Sequence, residues 1–239
     1  MSSSNPPASS GKADSLISKT DGLAYWESID PDVNGMLGGF PHISRVDLRG
    51  SRNFLAKLGF GSKGGHQRVA ELALEGGAGI GRITKGLLLD GIARQVDVIE
   101  PISKFTAGLK GKEGVRRIYN MGLEEWVPEG ADGGEYDLIW IQWCVGHLTD
   151  EQLVEFLKRC KGGLKKGEGE GEGLIVVKEN NSTVGRDDFD EVDSSVTRAD
   201  ASFRRIFKEA GLRLLQVELQ KGFQADGLLP VRMYALKPE

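Results

Sequence analysis

From residue 68 onward, short aliphatic and β-branched runs alternate with stretches whose apolar residues recur every three or four positions. The first pattern suits strands buried on both faces and the second suits amphipathic helices. Their alternation predicts an α/β fold, a seven-stranded and mostly parallel sheet with helices on both faces. Strands are expected over 68–74, 95–99, 116–120, 136–143, 174–178, 213–219 and 231–236. The clearest helices are 149–160 and 200–210. In the first, Thr149 and Gln152 form a capping-box pair, and Leu153, Phe156, Leu157 and Cys160 share a face. In the second, Asp200 is the expected cap, Phe203, Ile206, Phe207 and Ala210 make the apolar stripe, and Gly211 closes the helix. No helical pattern separates the last two strands, so residues 220–230 are expected to form a hairpin that leaves one strand antiparallel. Ahead of the sheet, 15–29 and 46–58 read as helices around the glycine-rich loop Asn34-Gly35-Met36-Leu37-Gly38-Gly39-Phe40.

Polar segments divide the chain. Residues 1–14 are rich in Ser, Pro, Gly and Asn and read as a disordered tail, while 165–173 read as a solvated loop. The expected organisation is tail 1–14, a helical extension 15–60 that contributes to a substrate groove, and one domain over 61–239. No apolar run approaches the ~20 residues of a membrane helix. The first residues lack the pattern of a secretory signal, so Cys144 and Cys160 are expected as reduced thiols at a cytoplasmic or nuclear address. A formal charge of −4 argues against a general nucleic-acid surface and leaves room for a basic ligand. No metal site is expected.

The first strand runs into Glu75-Gly76-Gly77-Ala78-Gly79-Ile80-Gly81-Arg82, and 83–89 then reads as a helix. Glycines in such a turn let a ligand lie against the main chain at a helix N-terminus. A dinucleotide fingerprint spaces its glycines G-x-G-x-x-G, whereas Gly77, Gly79 and Gly81 alternate behind an acid, a spacing that points away from NAD. Glu100 ends the second strand 19 residues after Gly81, where a carboxylate binds ribose hydroxyls; its other reading is a cap on a helix over 101–109. Pro101 and Ile102 follow it. Leu123 and Glu124 after the third strand, and Gln142 at the end of the fourth, are placed to flank a nucleotide at the carboxyl ends of parallel strands. Arg82 suits a ligand carboxylate, because a cation in a first helical turn opposes the dipole; otherwise it is a surface arginine.

Several stretches are too particular for packing alone: Asp137 through Thr149, Lys178-Glu179-Asn180, Asp190 through Val196, Tyr25-Trp26 and Gly35 through Gly39. Together they resemble the α-N-terminal protein methyltransferases, class I S-adenosylmethionine-dependent enzymes that act on chains beginning X-Pro-Lys or X-Pro-Arg. The likeness runs from about Tyr25 to Leu236. It implies S-adenosylmethionine as cofactor and protein N-termini as substrates, with ribosomal proteins among them. An α-amino group has a pKa near 8 and must lose a proton before it attacks a sulfonium methyl, so a base is required. The resemblance assigns that role to His147 and Asp193. It also implies that Trp26 and Trp143 wall the substrate proline and that Asn180 bonds the peptide backbone. Leu37 and Gly38 would lie along the entering chain, and Asp190, Asp193 and Ser195 would hold the basic third residue.

Each assignment has a plainer counterpart: a histidine bonded to backbone, a tryptophan buried in a central strand, a solvated acidic loop. Two departures stand out. Leu228-Leu229-Pro230 replaces an aromatic of the relatives, and Glu75 stands where they carry Asp. The competing readings are a methyltransferase for a small amine or carboxylate, which a closed lid would favour over an open acidic groove, and a module that binds cofactor without turnover.

Overall fold

A computed structural model describes residues 12–61, 68–129, 134–167, 172–223 and 227–239. Seven strands form one sheet: β1 (Ala70–Gly76), β2 (Ala93–Ile99), β3 (Val115–Tyr119), β4 (Leu138–Gln142), β5 (Leu174–Asn180), β8 (Leu212–Leu219) and β9 (Val231–Pro238). Their order is β3-β2-β1-β4-β5-β9-β8. The first five are mutually parallel, and β9 runs antiparallel to both β5 and β8. This is the class I methyltransferase arrangement, and the terminal hairpin arises as the missing helical pattern predicted.

The period of two along the central strands builds two cores. Leu138 and Trp140 of β4, with Leu174 and Val176 of β5, face one side. There they meet Phe54 and Leu55 of α3 (Ser44–Lys57) and Leu87 and Leu88 of a wide π-type helix over Thr84–Ile92. Ile139, Ile141, Ile175 and Val177 face the other side. They pack against Phe156 and Leu157 of α4 (Asp150–Gly163) and Phe203 and Phe207 of α5 (Asp200–Glu209). Every residue of β4 is buried, Gln142 included, as befits a central parallel strand.

Several boundaries differ from expectation. The fourth strand is shorter than 136–143: Tyr136 makes only an isolated bridge to Leu164, and Trp143 already has φ +53. The helix expected over 15–29 is broken at Ser18, whose extended backbone and side chain cap α1 (Lys19–Ser28); the hydroxyl accepts from the Asp21 N–H. Residues 13–16 form a short 3-10 turn tied to α4, with Asp14 Oδ2 accepting the Asp150 N–H at 2.9 Å. Residues 12–14 are therefore ordered, and the rest of the expected tail lies outside the described residues. The glycine-rich loop holds one helical turn, α2 (Val33–Met36), capped by Asp32. The helix expected over 101–109 is only a 3-10 turn at Phe105–Leu109. Asp200 does not cap α5: Ala199 precedes the first turn, and the Asp200 carboxylate instead accepts from Tyr234 and Arg204. A two-stranded ribbon, β6 (Asp188–Asp190) with β7 (Ser195–Thr197), was not expected. Three residues per strand are too few for periodicity to register. Most of the loop expected over 165–173 also lies outside the described residues.

Candidate active site

A cavity of about 280 Å³ opens at the carboxyl ends of β1, β2 and β4 and is roofed by α1. Its cofactor end is the turn after β1. Gly77 and Gly79 have φ of +70 and +53, and a Cβ on either would meet the Cys144 side chain or the Met36 sulfur within 2.7 Å. Only glycine keeps this floor open. Gly81, also at positive φ, turns against Leu109 and lies off the cavity wall. Glu100 lines the cavity and holds the turn from the neighbouring strand, its Oε2 accepting the Gly79 N–H at 2.8 Å and its Oε1 the Ile102 N–H at 2.9 Å. Glu100 does not cap the helix expected over 101–109, since the turn there starts at Phe105 with no side-chain cap. Behind it, Glu75 accepts from the Thr84 hydroxyl at 2.5 Å, and burial pushes its pKa up to about 8.

Pro101, Ile102, Leu123, Glu124 and Gln142 all reach the cavity. Arg82 reaches it as well, its guanidinium 5.5 Å above the Trp143 ring, but its ion pair at 2.7 Å is with Asp47 of α3. Asp47 was invisible as a site residue, lying 35 positions away on an amphipathic helix.

The other end is built by α1 and the turn after β4. Trp26 donates from Nε1 to His147 Nε2 at 2.9 Å and meets Phe105 edge to face. An indole only donates, so Nε2 is the acceptor and the neutral ring carries its proton on Nδ1. Burial pushes the His147 pKa below its ordinary value, against the opposing charge of Asp193, so the imidazole is neutral near pH 7. Gly22 of α1 packs closely here: a Cβ would lie 3.3 Å from His147 Nδ1 and 3.4 Å from the Asp193 carbonyl. The ribbon loop is tied to α1 where the Ser18 N–H donates to Ser194 Oγ at 2.8 Å. Among the described residues, Trp143 Nε1, His147 Nδ1 and Asp193 Oδ1 are buried without a hydrogen-bond partner of good geometry. Buried polar atoms are seldom left so; of these residues Trp143 and His147 line the cavity, whereas Asp193 lies off its wall.

The turn carrying His147 is clamped from below. Fully buried Arg198 donates to the carbonyls of Val145 and Leu148 and to Asp150 Oδ1. Glu179 accepts the Asn180 N–H at 2.9 Å and sits against the N–H groups of Val145 and Cys144; burial pushes it up to about 7.

The remaining predicted residues are not gathered at the cavity wall. Leu37 is buried in a small cluster with Ile43, Phe223 and Val231, to which Trp143 and Leu228 also pack. Gly38 is exposed, and Asn180 and Ser195 are half-buried off the wall. Asp190 is exposed on β6, accepts the Val192 N–H, and borders a second concavity with Asp188 and Leu229. It remains linked to the first site through Tyr25, whose pKa rises by burial and by the charges of Asp193 and Asp190. Cavity residues missed in the sequence include Met36, Leu23, Phe105 and Lys19. Met36 had a signal, since the Asp32 cap starts a helical turn that brings it inward beside Leu37. Lys19 pairs with Glu124 at 2.6 Å and Glu125 at 2.9 Å, drawing α1 over the cofactor end.

The sequence pattern of AdoMet-dependent proline di-methyltransferases matches residues 14–237. The mouse N-terminal Xaa-Pro-Lys N-methyltransferase 1 is 45% identical over 218 residues, covering 89% of this chain and 92% of the relative. The alpha N-terminal protein methyltransferase 1 of Schizosaccharomyces pombe is 40% identical over 227 residues, covering 92% and 95%. Among solved structures, a SAM-dependent methyltransferase from Leishmania major superposes with a TM-score of 0.79 at 37% identity, covering 91% of this chain and 82% of its own.

Proposed function

Because the chain belongs to the AdoMet-dependent proline di-methyltransferase family and is an S-adenosylmethionine-dependent methyltransferase, we propose that it methylates the free α-amino group of proteins beginning X-Pro-Lys or X-Pro-Arg. The observation that carries this reading is His147 on the cavity wall, held by the Trp26 N–H at 2.9 Å, with the charge of Asp193 acting on its imidazole. Ribosomal proteins that expose such N-termini are the expected substrates.

The cavity fits the cofactor on its own chemistry. The glycine floor is a cradle that any Cβ would fill, the Glu100 carboxylate faces a ribose, and Arg82 supplies a fork for a carboxylate. Leu123, Ile102 and Pro101 give the adenine an apolar slot, with Glu124 and Gln142 at its margins. When bound, S-adenosylmethionine supplies an electrophilic methyl group on a sulfonium.

The chain's residues then have to deliver a neutral amine. Asp193 Oδ1, buried and unpartnered, takes a hydrogen bond from the substrate ammonium and is its first proton acceptor. His147 Nε2 becomes a second acceptor once the Trp26 N–H turns away from it. As the new N–C bond forms and the sulfur–methyl bond breaks, the proton lost by the amine rests on this pair. Trp26 and Trp143 hold the proline ring between aromatic faces, and Asn180 bonds the first peptide unit. Asp190 and Ser195 receive the basic third side chain, where the ribbon stays open to solvent. Leu37 shapes the wall behind Trp143, and Gly38 leaves the entrance clear. An open acidic flank of this kind suits a peptide better than a small amine.

The test pairs two peptides that differ only at the terminus, Ser-Pro-Lys with a free α-amine and its N-acetylated form, each incubated with labelled S-adenosylmethionine. Label on the free peptide alone, located at the α-nitrogen, is the expected outcome. Label on neither, with cofactor bound, would sink the reading.

A further inference from the structure

Residues distant in sequence meet as a buried polar cluster behind the cavity floor. Asp47 is fully buried on α3, with Oδ2 2.7 Å from the Arg82 guanidinium and Oδ1 2.5 Å from the Lys178 ammonium. Gln142 donates to both of its oxygens at 3.1 Å, and is itself held by the Trp140 N–H at 3.0 Å. Lys178 is also fully buried and donates to Ser51 Oγ at 2.9 Å, Gln220 Oε1 at 2.8 Å and the Asp47 carbonyl at 3.3 Å. Carboxylate, carbonyl and amide oxygens only accept, so the nitrogen they surround is an ammonium. Burial alone would push the Asp47 carboxyl up, but the two cations hold it below its ordinary value; burial lowers the Lys178 pKa, and the Asp47 carboxylate beside it opposes that shift.

One carboxylate therefore lies between two cations, and a desolvated cluster of this kind carries one uncompensated positive charge. Glu75, a further carboxyl that feels the charge of Arg82, has its pKa raised by burial to about 8. Of the three charged members only Arg82 reaches the cavity. A buried charge without a counterion is costly, and a ligand that brings the missing anion relieves that cost.

We propose that Lys178 is a positioning residue for cofactor binding: by sharing Asp47 it leaves the charge of Arg82 uncompensated and aimed at the carboxylate of the S-adenosylmethionine amino-acid end. The inference rests on the reading that Arg82 holds that carboxylate. It gives α3, which lies outside the glycine turn in sequence, a direct part in cofactor selection. It also explains a lysine wholly buried in a central strand, which packing by itself would not favour.

The experiment measures calorimetric binding of two ligands, S-adenosylhomocysteine and 5′-methylthioadenosine, which shares the nucleoside and sulfur but has no carboxylate. In Lys178→Met the Kd for S-adenosylhomocysteine should rise about tenfold, the size of one charge-assisted hydrogen bond. The Kd for 5′-methylthioadenosine should stay within about twofold. In turnover, the KM for S-adenosylmethionine should rise more than kcat falls. Equal losses for both ligands would mean a purely structural role, and no loss for either would remove Lys178 from the site; each result overturns the inference. Arg82→Met separates the premise from the inference. If it spares the preference for the carboxylate-bearing ligand, both fail; if it abolishes that preference while Lys178→Met does not, only the inference fails. Should Lys178→Met not fold, Gln220→Leu loosens the same ammonium and is expected to shift the ratio of the two affinities in the same direction, an unchanged ratio counting against the proposal.

Discussion

The two ends of the cavity are built on opposite principles. At the cofactor end nearly every polar group is already engaged: Glu100 holds the Gly79 and Ile102 N–H groups, Thr84 holds Glu75, and Asp47 is shared by Arg82, Lys178 and Gln142. Among the described residues, His147 Nδ1, Asp193 Oδ1 and Trp143 Nε1 at the acceptor end are buried without a well-aligned hydrogen-bond partner, as is Arg82 Nη1 at the cofactor end, where Asp47 still pairs with its charge. The first end is a rigid receptor whose shape is complete. On the proposed function, the second keeps its hydrogen-bonding capacity in reserve for a charged amine that brings its own donors. A methyltransferase gains from that division: electrostatic complementarity prepared in advance needs no reorganisation when the methyl group moves.

The largest effect should come from the reserved end. Asp193→Asn removes the first proton acceptor and should lower kcat about 10²- to 10⁴-fold, the usual range for loss of general base catalysis. S-adenosylhomocysteine affinity should stay within about twofold by calorimetry. A parallel loss of affinity would erase the distinction between the two ends. Smaller, and in the opposite sense, is Glu100→Gln at the engaged end. It weakens the grip on the glycine turn and should raise the S-adenosylhomocysteine Kd roughly 10- to 100-fold, since hydrogen bonds to charged groups are worth about 1.5–3 kcal/mol. Peptide affinity, read by fluorescence titration, should change little.

The smallest expected effect concerns pH and stability. Burial raises Glu75 to about 8, above the unfolded value near 4.3. The folded state therefore keeps a proton that the unfolded state releases. The stabilisation this gives is complete below about pH 4.3 and is lost as pH climbs toward about 8. In Glu75→Gln the group is neutral throughout, so the fall in Tm between these limits should be shallower than in the unaltered protein. Parallel Tm profiles would show that Glu75 is ionised in the fold, and that the engaged end carries one more negative charge than described.

The same division separates what could be read from the chain and what could not. The glycine turn and Glu100 were legible because their chemistry is local: a strand, a tight turn and an acid at the next strand end follow from spacing. The roles of His147 and Asp193 came through likeness to a family, since 46 positions separate them and nothing in their own flanks brings them together. The ribbon that carries Asp190 and Ser195 escaped notice because its strands are too short for a period. Arg82 was assigned to a ligand carboxylate, yet its partner in the fold is Asp47, a residue that reads as one more polar position on a helix.

By itself, then, the alternation of apolar and polar positions determined the seven strands and the antiparallel return of the last, and the glycine turn with Glu100 marked the strand ends where the cofactor is proposed to lie. Tertiary structure decided the charge of that site and the geometry of its base. Both depend on helices α1 and α3, which fold back over the sheet from the N-terminal side, and the positions they bring into contact there are unrelated in sequence. Hydrophobic periodicity reports which face of an element is buried; only packing decides which buried charge meets which.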